Sequence, residues 1–152
     1  MIETTYIDFD EVLDVYARTI EHSGGGFSGI RDEDSIKSIL DFVQNNLYYP
    51  TFVEKLAFLI SRFCTGHYFN DGNKRISLTL GVYFLHKNGY YWEATVLMKE
   101  AEAIIYHLAA GNIDADFFGQ WLQCFMNRTE LSEELKLQLA KAISNGTLGT
   151  DQ

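Results

Sequence analysis

Two consecutive stretches of the chain are apolar on most of their faces, and a single polar loop separates them. The first runs from Phe52 to about Cys64, and the second continues to about Asn88, where Gly89 is placed to end a helix. A helix that is apolar all round is buried, so this pair predicts the centre of a helical core. The loop between them, Thr65–Asn73, would be costly to hold there unless it had a function.

The rest of the chain predicts further helices around that pair. Apolar residues recur at helical spacing, and acidic or hydroxyl residues stand where helix N-caps belong. The predicted caps are Asp8 with Glu11, Asp32, Thr51 with Glu54, and Asp114. The predicted inward faces are Phe9, Val12, Leu13, Tyr16 and Ile20 on the first helix, Ile36, Ile39, Leu40, Val43 and Leu47 on the second, and Phe117, Phe118, Trp121, Leu122 and Phe125 on the sixth.

These patterns predict an all-α fold, a bundle of about six to seven helices. Ala94–Ala110 is predicted as the fifth helix, and a more polar stretch from Thr129 to about Asn145 as the last. The sequence also allows a small β-hairpin around Asn45–Pro50 and a short extended piece at Gly89–Glu93. His22–Gly29 is rich in glycine and is predicted as a loop inside the domain.

Composition argues against some classes of partner and predicts a cellular compartment. A formal net charge of −9 and an isoelectric point near 4.8 argue against a nucleic-acid partner, because phosphate backbones would be repelled. No apolar run reaches the ~20 residues that span a bilayer, and the amino terminus lacks the basic segment of a signal peptide. Cys64 and Cys124 lie in apolar stretches and are predicted as reduced core thiols, with a disulfide between them as the alternative. We therefore expect a cytoplasmic protein with no membrane partner.

The polar loop has the spacing of an anion-binding turn. Gly72 permits a sharp turn of the backbone, and Asn73–Arg75 would then form the first turn of the next helix. The N–H groups and the positive end of the helix dipole favour phosphate at such a position. Lys74 and Arg75 add two cations at the same place, and Arg75 can bind phosphate oxygens in a fork.

Two further residues of the loop suit a group-transfer reaction. Asp71 alone would weaken anion binding, but Mg²⁺ resolves the conflict because it binds one or two protein carboxylates together with phosphate oxygens. His67 can take the proton of an attacking hydroxyl near neutral pH. Phosphoryl or nucleotidyl transfer requires these parts. Two plainer interpretations stay open on these residues alone: a tight hairpin turn at Asp71-Gly72, or a loop that only packs, with a core imidazole and solvated cations.

The nine residues His67–Arg75, HYFNDGNKR, resemble the signature of the Fic/Doc (Fido) family. That signature is histidine-x-phenylalanine-x-acid-glycine/alanine-asparagine-glycine/lysine-arginine, and lysine in the next-to-last place is typical of the Doc (death-on-curing) branch. Further matches to that branch are Gly29–Asp32, Leu85–Gly89, and Ala109–Ile113 followed by Trp121-Leu122. The resemblance covers about Ile7–Phe125 and implies a Fic/Doc domain over residues 1–126, with a helical extension over residues 127–152.

The resemblance implies a protein-modifying transferase that uses ATP and Mg²⁺. It implies that His67 is the general base on the target hydroxyl, that Phe69 anchors the loop in the core, and that Asp71 holds the metal. Gly72, Asn73, Lys74 and Arg75 would hold the nucleotide phosphates. A flap before the motif would dock the target protein by strand addition, and Asn45–Thr51 is the stretch that fits.

Three residues depart from the longer Fic signature. Tyr68 replaces a proline, which we expect to matter little, and Leu78 replaces a second arginine, which removes one phosphate clamp. Lys74 replaces the glycine that lets a diphosphate lie flat on the helix terminus; in the Doc branch, lysine there goes with a reversed nucleotide and transfer of the γ-phosphate. We therefore predict protein phosphorylation, with AMP transfer as the alternative and a catalytically inert interaction domain as the third hypothesis.

Regulation is predicted to come from outside the chain. Fic proteins often carry an inhibitory helix with the pattern Ser/Thr-x-x-x-Glu-Gly/Asn. Thr129 and Glu133 have that spacing, but Glu134 stands where Gly or Asn is expected, so we predict a solvated tail helix. The resemblance then implies restraint by a separate antitoxin protein. The remaining histidines receive no functional role: His22, His86 and His107.

Overall fold

The computed structural model describes residues 3–22 and 29–150, and seven α-helices make up most of these ranges. The helices are α1 (Phe9–His22), α2 (Glu33–Phe42), α3 (Phe52–Thr65), α4 (Asn73–Lys87), α5 (Tyr91–Ala109), α6 (Ala115–Asn127) and α7 (Glu133–Thr150). Within the described ranges, one β-bridge joins Ile30 to Phe69. The all-α prediction is confirmed. None of the helices in these ranges has the length and apolar character needed to span a bilayer.

The two apolar helices form the centre of the molecule, as predicted. α4 packs against α3, α5 and α1, and α3 also packs against α6 and α2. Both helices contribute large side chains that are at most 2% exposed: Leu56, Leu59, Ile60 and Phe63 from α3, and Ile76, Leu80, Phe84 and Leu85 from α4. The polar loop 66–72 joins these helices, so its position is set by the most tightly packed part of the core.

The predicted caps form at the helix starts. The backbone N–H of Glu11 donates to Asp8 Oδ1 at 2.8 Å, and the N–H of Asp8 donates back to Glu11 Oε1 at 3.1 Å. The side chains of Asp32, Thr51 and Asp114 each accept from the N–H three residues further on. These bonds satisfy N–H groups that a helix start leaves without partners.

The segment between α2 and α3 differs from the prediction. α2 ends at Phe42, so Leu47 does not continue its inward face and is 92% exposed. Asn45 Oδ1 accepts the N–H groups of Leu47 at 2.9 Å and Tyr48 at 3.3 Å, which folds the backbone into a turn. The predicted β-hairpin around Asn45–Pro50 is therefore wrong, because a side-chain amide competes for the groups that a strand ladder would use.

Two other boundaries are corrected. Gly89 ends α4 with φ +87°, and the Tyr90 N–H donates to the Leu85 carbonyl at 2.9 Å, so the chain turns back into a helix at once. Gly89–Glu93 is consequently not extended, since α5 begins at Tyr91. The last helix begins at Glu133 instead of Thr129 and continues to Thr150.

The cysteine prediction and the loop prediction have different outcomes. Cys64 and Cys124 are both free thiols, as predicted. A glycine-rich loop was predicted at His22–Gly29, but His22 belongs to α1. Residues 23–28 of that prediction lie outside the described residues.

α1 runs antiparallel to α4 and contacts both of its ends. At one end, Glu11 Oε2 accepts from Lys87 Nζ at 2.5 Å and from the Tyr83 hydroxyl. Burial raises the pKa of Glu11, but the hydrogen bonds from Lys87 and Tyr83 outweigh burial and hold it below its ordinary value. At the other end, Ile20 lies so near Gly72 that a Cβ there would be 3.3 Å from Ile20 Cδ1. α1 therefore braces the helix that starts at the candidate loop.

Candidate active site

A cleft of about 1250 Å³ opens between α1, loop 66–72, the start of α4 and α5. Its lining includes all six residues predicted as site residues: His67, Asp71, Gly72, Asn73, Lys74 and Arg75. Ligand pockets are commonly ~300–1,000 Å³, so this cleft is large enough for a small-molecule ligand. The fold thus gathers the motif residues around one open space.

The start of α4 has the features of an anion site. Gly72 is its N-cap, with φ +78° and ψ +18°, and offers no side chain to cap the first-turn N–H groups. Lys74 and Arg75 are exposed in that first turn, which contains no acidic residue. Cations next to the positive end of a helix dipole are unfavourable by themselves. An anion bound at this turn would reverse that effect, as at other phosphate-binding helix starts.

The loop is anchored in the core through Phe69. This side chain is fully buried, and its ring stacks on the Tyr16 ring with centroids 4.2 Å apart. Asn73 holds the same residue from the other side: its Oδ1 accepts the Phe69 N–H at 3.2 Å, and its Nδ2 donates to the Phe69 carbonyl at 3.1 Å. The Asn73 side chain is therefore engaged within the loop. Its backbone N–H stands at the first position of α4, and the residue lines the cleft.

A second segment of chain pairs with the loop. The N–H groups of Arg31 and Asp32 both donate to the Tyr68 carbonyl, at 2.8 and 3.1 Å. The Asn70 N–H donates to the Gly29 carbonyl at 3.0 Å. These bonds fix the backbone on both sides of Phe69, so the cleft side of the loop is held without help from a ligand.

His67 has a strained backbone. Its φ is +53°, a left-handed conformation that residues other than glycine adopt rarely. Its side chain is exposed and lines the cleft. Residues held in such conformations cluster at functional sites, and the geometry here turns the imidazole outward while the next two side chains are buried.

Asp71 lies at the cleft edge with an exposed side chain. Its Oδ1 accepts the N–H of the next residue, Gly72, at 2.8 Å, which orients the carboxylate. Across residues 3–22 and 29–150, no cluster of three or more His, Cys, Asp or Glu side chains is placed to hold a metal. A cation at Asp71 would therefore need further oxygen ligands from phosphate or water.

The cleft wall contributed by α5 was not predicted. Met98, Glu102 and Tyr106 follow one another at four-residue spacing and line the cleft, and Met98 and Tyr106 remain 40% and 47% exposed. His107, which received no role from the sequence, also lines it, and its Nδ1 lies 3.1 Å from Asn112 Nδ2. The structure marks this wall by two large apolar side chains, Met98 and Tyr106, on an exposed helix face. A single sequence does not tell such a face from one covered by another helix.

Two buried side chains complete the wall. Leu78, which stands where longer Fic signatures have a second arginine, is 4% exposed and gives the cleft an apolar surface at that point. Burial raises the pKa of the Cys64 thiol to about 11, against smaller opposite effects of Ser77 and Lys74. The thiol is therefore protonated at neutral pH and is not a nucleophile there.

The predicted regulatory and docking segments lie away from this cleft. Among the side chains that the structure describes, none from α7 lines it, and Glu133 is 93% exposed beside Lys136. Tyr48 and Tyr49 of the predicted flap line a separate groove of about 660 Å³ between α3 and α6. Thr65, at the end of α3 and two residues before His67, also lines that groove. The predicted flap therefore borders a groove that is separate from the cleft.

Comparison with known proteins finds sequence matches that include the motif loop. The model of the Fic/DOC family matches residues 6–85, which contain α1 to α4 up to Leu85 and the whole motif loop. The chain is also 28% identical over 117 residues to Toxin Doc of Mycolicibacterium smegmatis, an alignment that covers 74% of this chain and 87% of that protein. The family match spans more than half of the 152 residues. The chain belongs to the Fic/DOC family.

Proposed function

We propose that the chain is a protein kinase of the Doc type, which transfers the γ-phosphoryl group of ATP to a hydroxyl side chain of a target protein. The observation that carries the proposal is the meeting of His67, Asp71 and the start of α4 around one cleft. Members of the family generally bind a nucleotide and a metal ion and transfer part of the nucleotide. The similarity to Toxin Doc supports the Doc-type reaction.

Each residue has a defined role in this proposal. His67 removes the proton of the target hydroxyl, whose oxygen forms a bond to the γ-phosphorus. The bond from that phosphorus to the β-phosphate oxygen breaks, and ADP leaves. Backbone N–H groups at Asn73 and Lys74, together with the side chains of Lys74 and Arg75, hold the phosphates. The Asn73 side chain holds the loop through Phe69.

The donor set at Asp71 suits Mg²⁺. The carboxylate is exposed, and the bond from Gly72 N–H occupies only Oδ1, so Oδ2 can bind a cation. Mg²⁺ commonly binds one or two protein carboxylates and completes its octahedron with phosphate oxygens and water. Mg²⁺ bound there would neutralise phosphate charge while Asp71 keeps its place beside the anion turn.

AMP transfer is the alternative, and the size of the cleft supports keeping it. The cleft volume of about 1250 Å³ exceeds the ~300–1,000 Å³ of common ligand pockets, so the volume does not select one orientation of the nucleotide. Lys74 favours the kinase, because its side chain stands in the cleft where a glycine would leave room for a second phosphate. The two reactions differ in which phosphorus is attacked, and labelled ATP separates them.

The test is incubation of the chain with a cell lysate and ATP labelled at either the α- or the γ-phosphate. Protein labelling from γ alone supports the kinase, and labelling from α supports AMP transfer. Labelling from neither position would contradict both reactions and leave the inert interaction domain. His67→Ala should abolish the signal, whereas His86→Ala should keep it, since His86 is exposed on α4 outside the cleft.

Two partners follow from this proposal. The backbone N–H groups of Leu47 and Tyr48 are bonded to Asn45, so they do not offer an edge for strand addition. We therefore propose that the target protein docks at Asn45–Thr51 through the exposed side chains of Leu47 and Tyr48. We also propose that a separate antitoxin restrains the chain, in keeping with its similarity to a toxin. Chain purified alone should be more active than chain purified with its partner. Equal inactivity of both would contradict the antitoxin proposal.

A further inference from the structure

We propose that Tyr16 of α1 is a positioning residue for His67 and Asp71. Tyr16 acts through Phe69, on whose ring it stacks, and through Gly29, whose N–H it accepts. The inference deepens the proposed function and rests on it for its catalytic readout. Its structural readout, the order of loop 66–72, is independent of any activity.

The ring of Tyr16 supports the middle of the loop. It is 6% exposed and lies against the fully buried Phe69 ring, with 4.2 Å between centroids and 17° between planes. Phe69 is two residues after His67 and two residues before Asp71. A shift of the Phe69 ring therefore moves both proposed functional side chains together.

The hydroxyl of Tyr16 supports the loop by a second route. It accepts the N–H of Gly29 at 3.1 Å, and the Gly29 carbonyl in turn accepts the N–H of Asn70 at 3.0 Å. Gly29 has φ +132°, and a Cβ there would lie 2.7 Å from Asn70 Nδ2, so this position requires glycine. The relay leads from α1 to the residue directly before Asp71.

These two routes separate a positioning role from ordinary packing. A phenylalanine at this position would fill the same space and keep the stack, so packing alone does not call for the hydroxyl. The hydroxyl matters only for the placement of Gly29 and, through it, Asn70. The strained φ of +53° at His67 makes this placement important, because such a conformation persists only when its surroundings hold it.

The experiment compares Tyr16→Phe and Tyr16→Leu with a matched control, Tyr90→Leu. Tyr90 is half-buried and stacks on Phe52 with centroids 4.6 Å apart, but it does not line the cleft. The measurements are the melting temperature, hydrogen exchange of the Asn70 amide, and the kcat and KM of target labelling well below the melting temperature.

In Tyr16→Phe, the Asn70 amide hydrogen should exchange faster with solvent, and kcat should fall ~3- to 10-fold. The KM for ATP should change little, because the anion turn belongs to α4. Tyr16→Leu should lower kcat by about 100-fold, the effect of a misplacement of ~1 Å. Tyr90→Leu should lower the melting temperature and leave both kcat and the Asn70 exchange unchanged.

The inference is overturned if Tyr16→Phe leaves both the Asn70 exchange and kcat at wild-type values, or if the Tyr90 control lowers kcat as much as Tyr16→Leu. If the wild-type chain labels no protein, the proposed function fails. The exchange rate at Asn70 then decides the positioning role by itself: faster exchange in Tyr16→Phe supports it, and unchanged exchange contradicts it.

Discussion

Single residues of the loop carry backbone conformations that constrain what can replace them. Gly72 combines a φ of +78° with the nearness of Ile20, whereas Gly89 has a similar φ of +87° and open space within 4 Å of the point where a Cβ would stand. A side chain at Gly89 would therefore meet backbone strain alone, whereas a side chain at Gly72 would meet backbone strain and contact with Ile20.

We expect Gly72→Ala to be more destabilising than Gly89→Ala. Each alanine should lower the free energy of unfolding by about 1–2 kcal/mol through the left-handed backbone, and contact with Ile20 should add to the loss at Gly72. Only Gly72→Ala should weaken ATP binding, since Gly72 shapes the anion turn. Urea unfolding and calorimetric titration measure both effects. Equal losses of stability with unchanged affinity would contradict the assignment of the turn.

His67→Asn separates chemistry from stability. Asparagine accepts the left-handed backbone better than other residues that carry a Cβ, so the free energy of unfolding should stay within about 0.5 kcal/mol. Target labelling should fall roughly 10²- to 10⁴-fold, the usual contribution of a general base. The control is Arg128→Asn, because Arg128 is the other described non-glycine residue with positive φ, at +54°, and lies outside the cleft. Full activity of His67→Asn would remove His67 from the role of base.

Among the helices, α1 and α4 are joined by the polar cluster of Glu11, Tyr83 and Lys87. The side chains of Glu11 and Lys87 are 23% and 22% exposed, so this ion pair is more shielded from solvent than the pair of Lys37 with Glu33, in which both side chains are 53% exposed. Charge-assisted bonds gain strength where water is excluded, and surface pairs contribute little.

We expect Glu11→Gln to lower the free energy of unfolding by about 1–2 kcal/mol at neutral pH. Because the pKa of Glu11 is below its ordinary 4.5 in the fold, the contribution of the carboxylate is present above that value and is lost as pH falls through the folded pKa. The difference between wild type and variant should therefore shrink on acidification. Urea unfolding from neutral to acidic pH checks this, with Glu33→Gln as a control of small effect. A difference independent of pH would rule out the carboxylate as its source.

Elements with local signals could be predicted from the sequence, and elements set by distant partners could not. The start of α4 at Asn73 followed from Gly72 and the loop composition, and the caps at Asp8, Asp32 and Asp114 followed from their own short patterns. The turn at Asn45 was missed because its side chain competes with a strand for the same N–H groups.

The residues of the cleft divide in the same way. The motif residues are contiguous in sequence, so their grouping was accessible. The contact of Tyr16 with Phe69 and the α5 face at Met98 and Tyr106 depend on how α1 and α5 pack against α4. Helical periodicity gives an apolar face but does not say which partner covers it.

At the scale of the whole molecule, α7 packs on α5 without reaching the cleft among the described side chains. We expect a chain that ends at Arg128 to have a free energy of unfolding roughly 2–5 kcal/mol lower, since the truncation removes the buried side chains of Leu135 and Ala142. The truncation keeps Arg128 because this residue is the C-cap of α6, and its Cζ lies 3.9 Å from the centroid of the Trp92 ring. ATP affinity should stay unchanged when measured below the melting temperature. A loss of affinity in the folded truncated chain would assign α7 a part in the site.

The brace between α1 and α4 has a consequence for how the protein comes into being. Glu11 is 72 and 76 residues from its partners Tyr83 and Lys87, and Tyr16 is more than 50 residues from Phe69. A chain grows on the ribosome from its amino terminus at ~5–20 residues per second, so α1 waits several seconds for the segment it supports. The opposite wall, α5, emerges later still. No nascent fragment that stops before α5 can complete the cleft, because α5 supplies one of its walls.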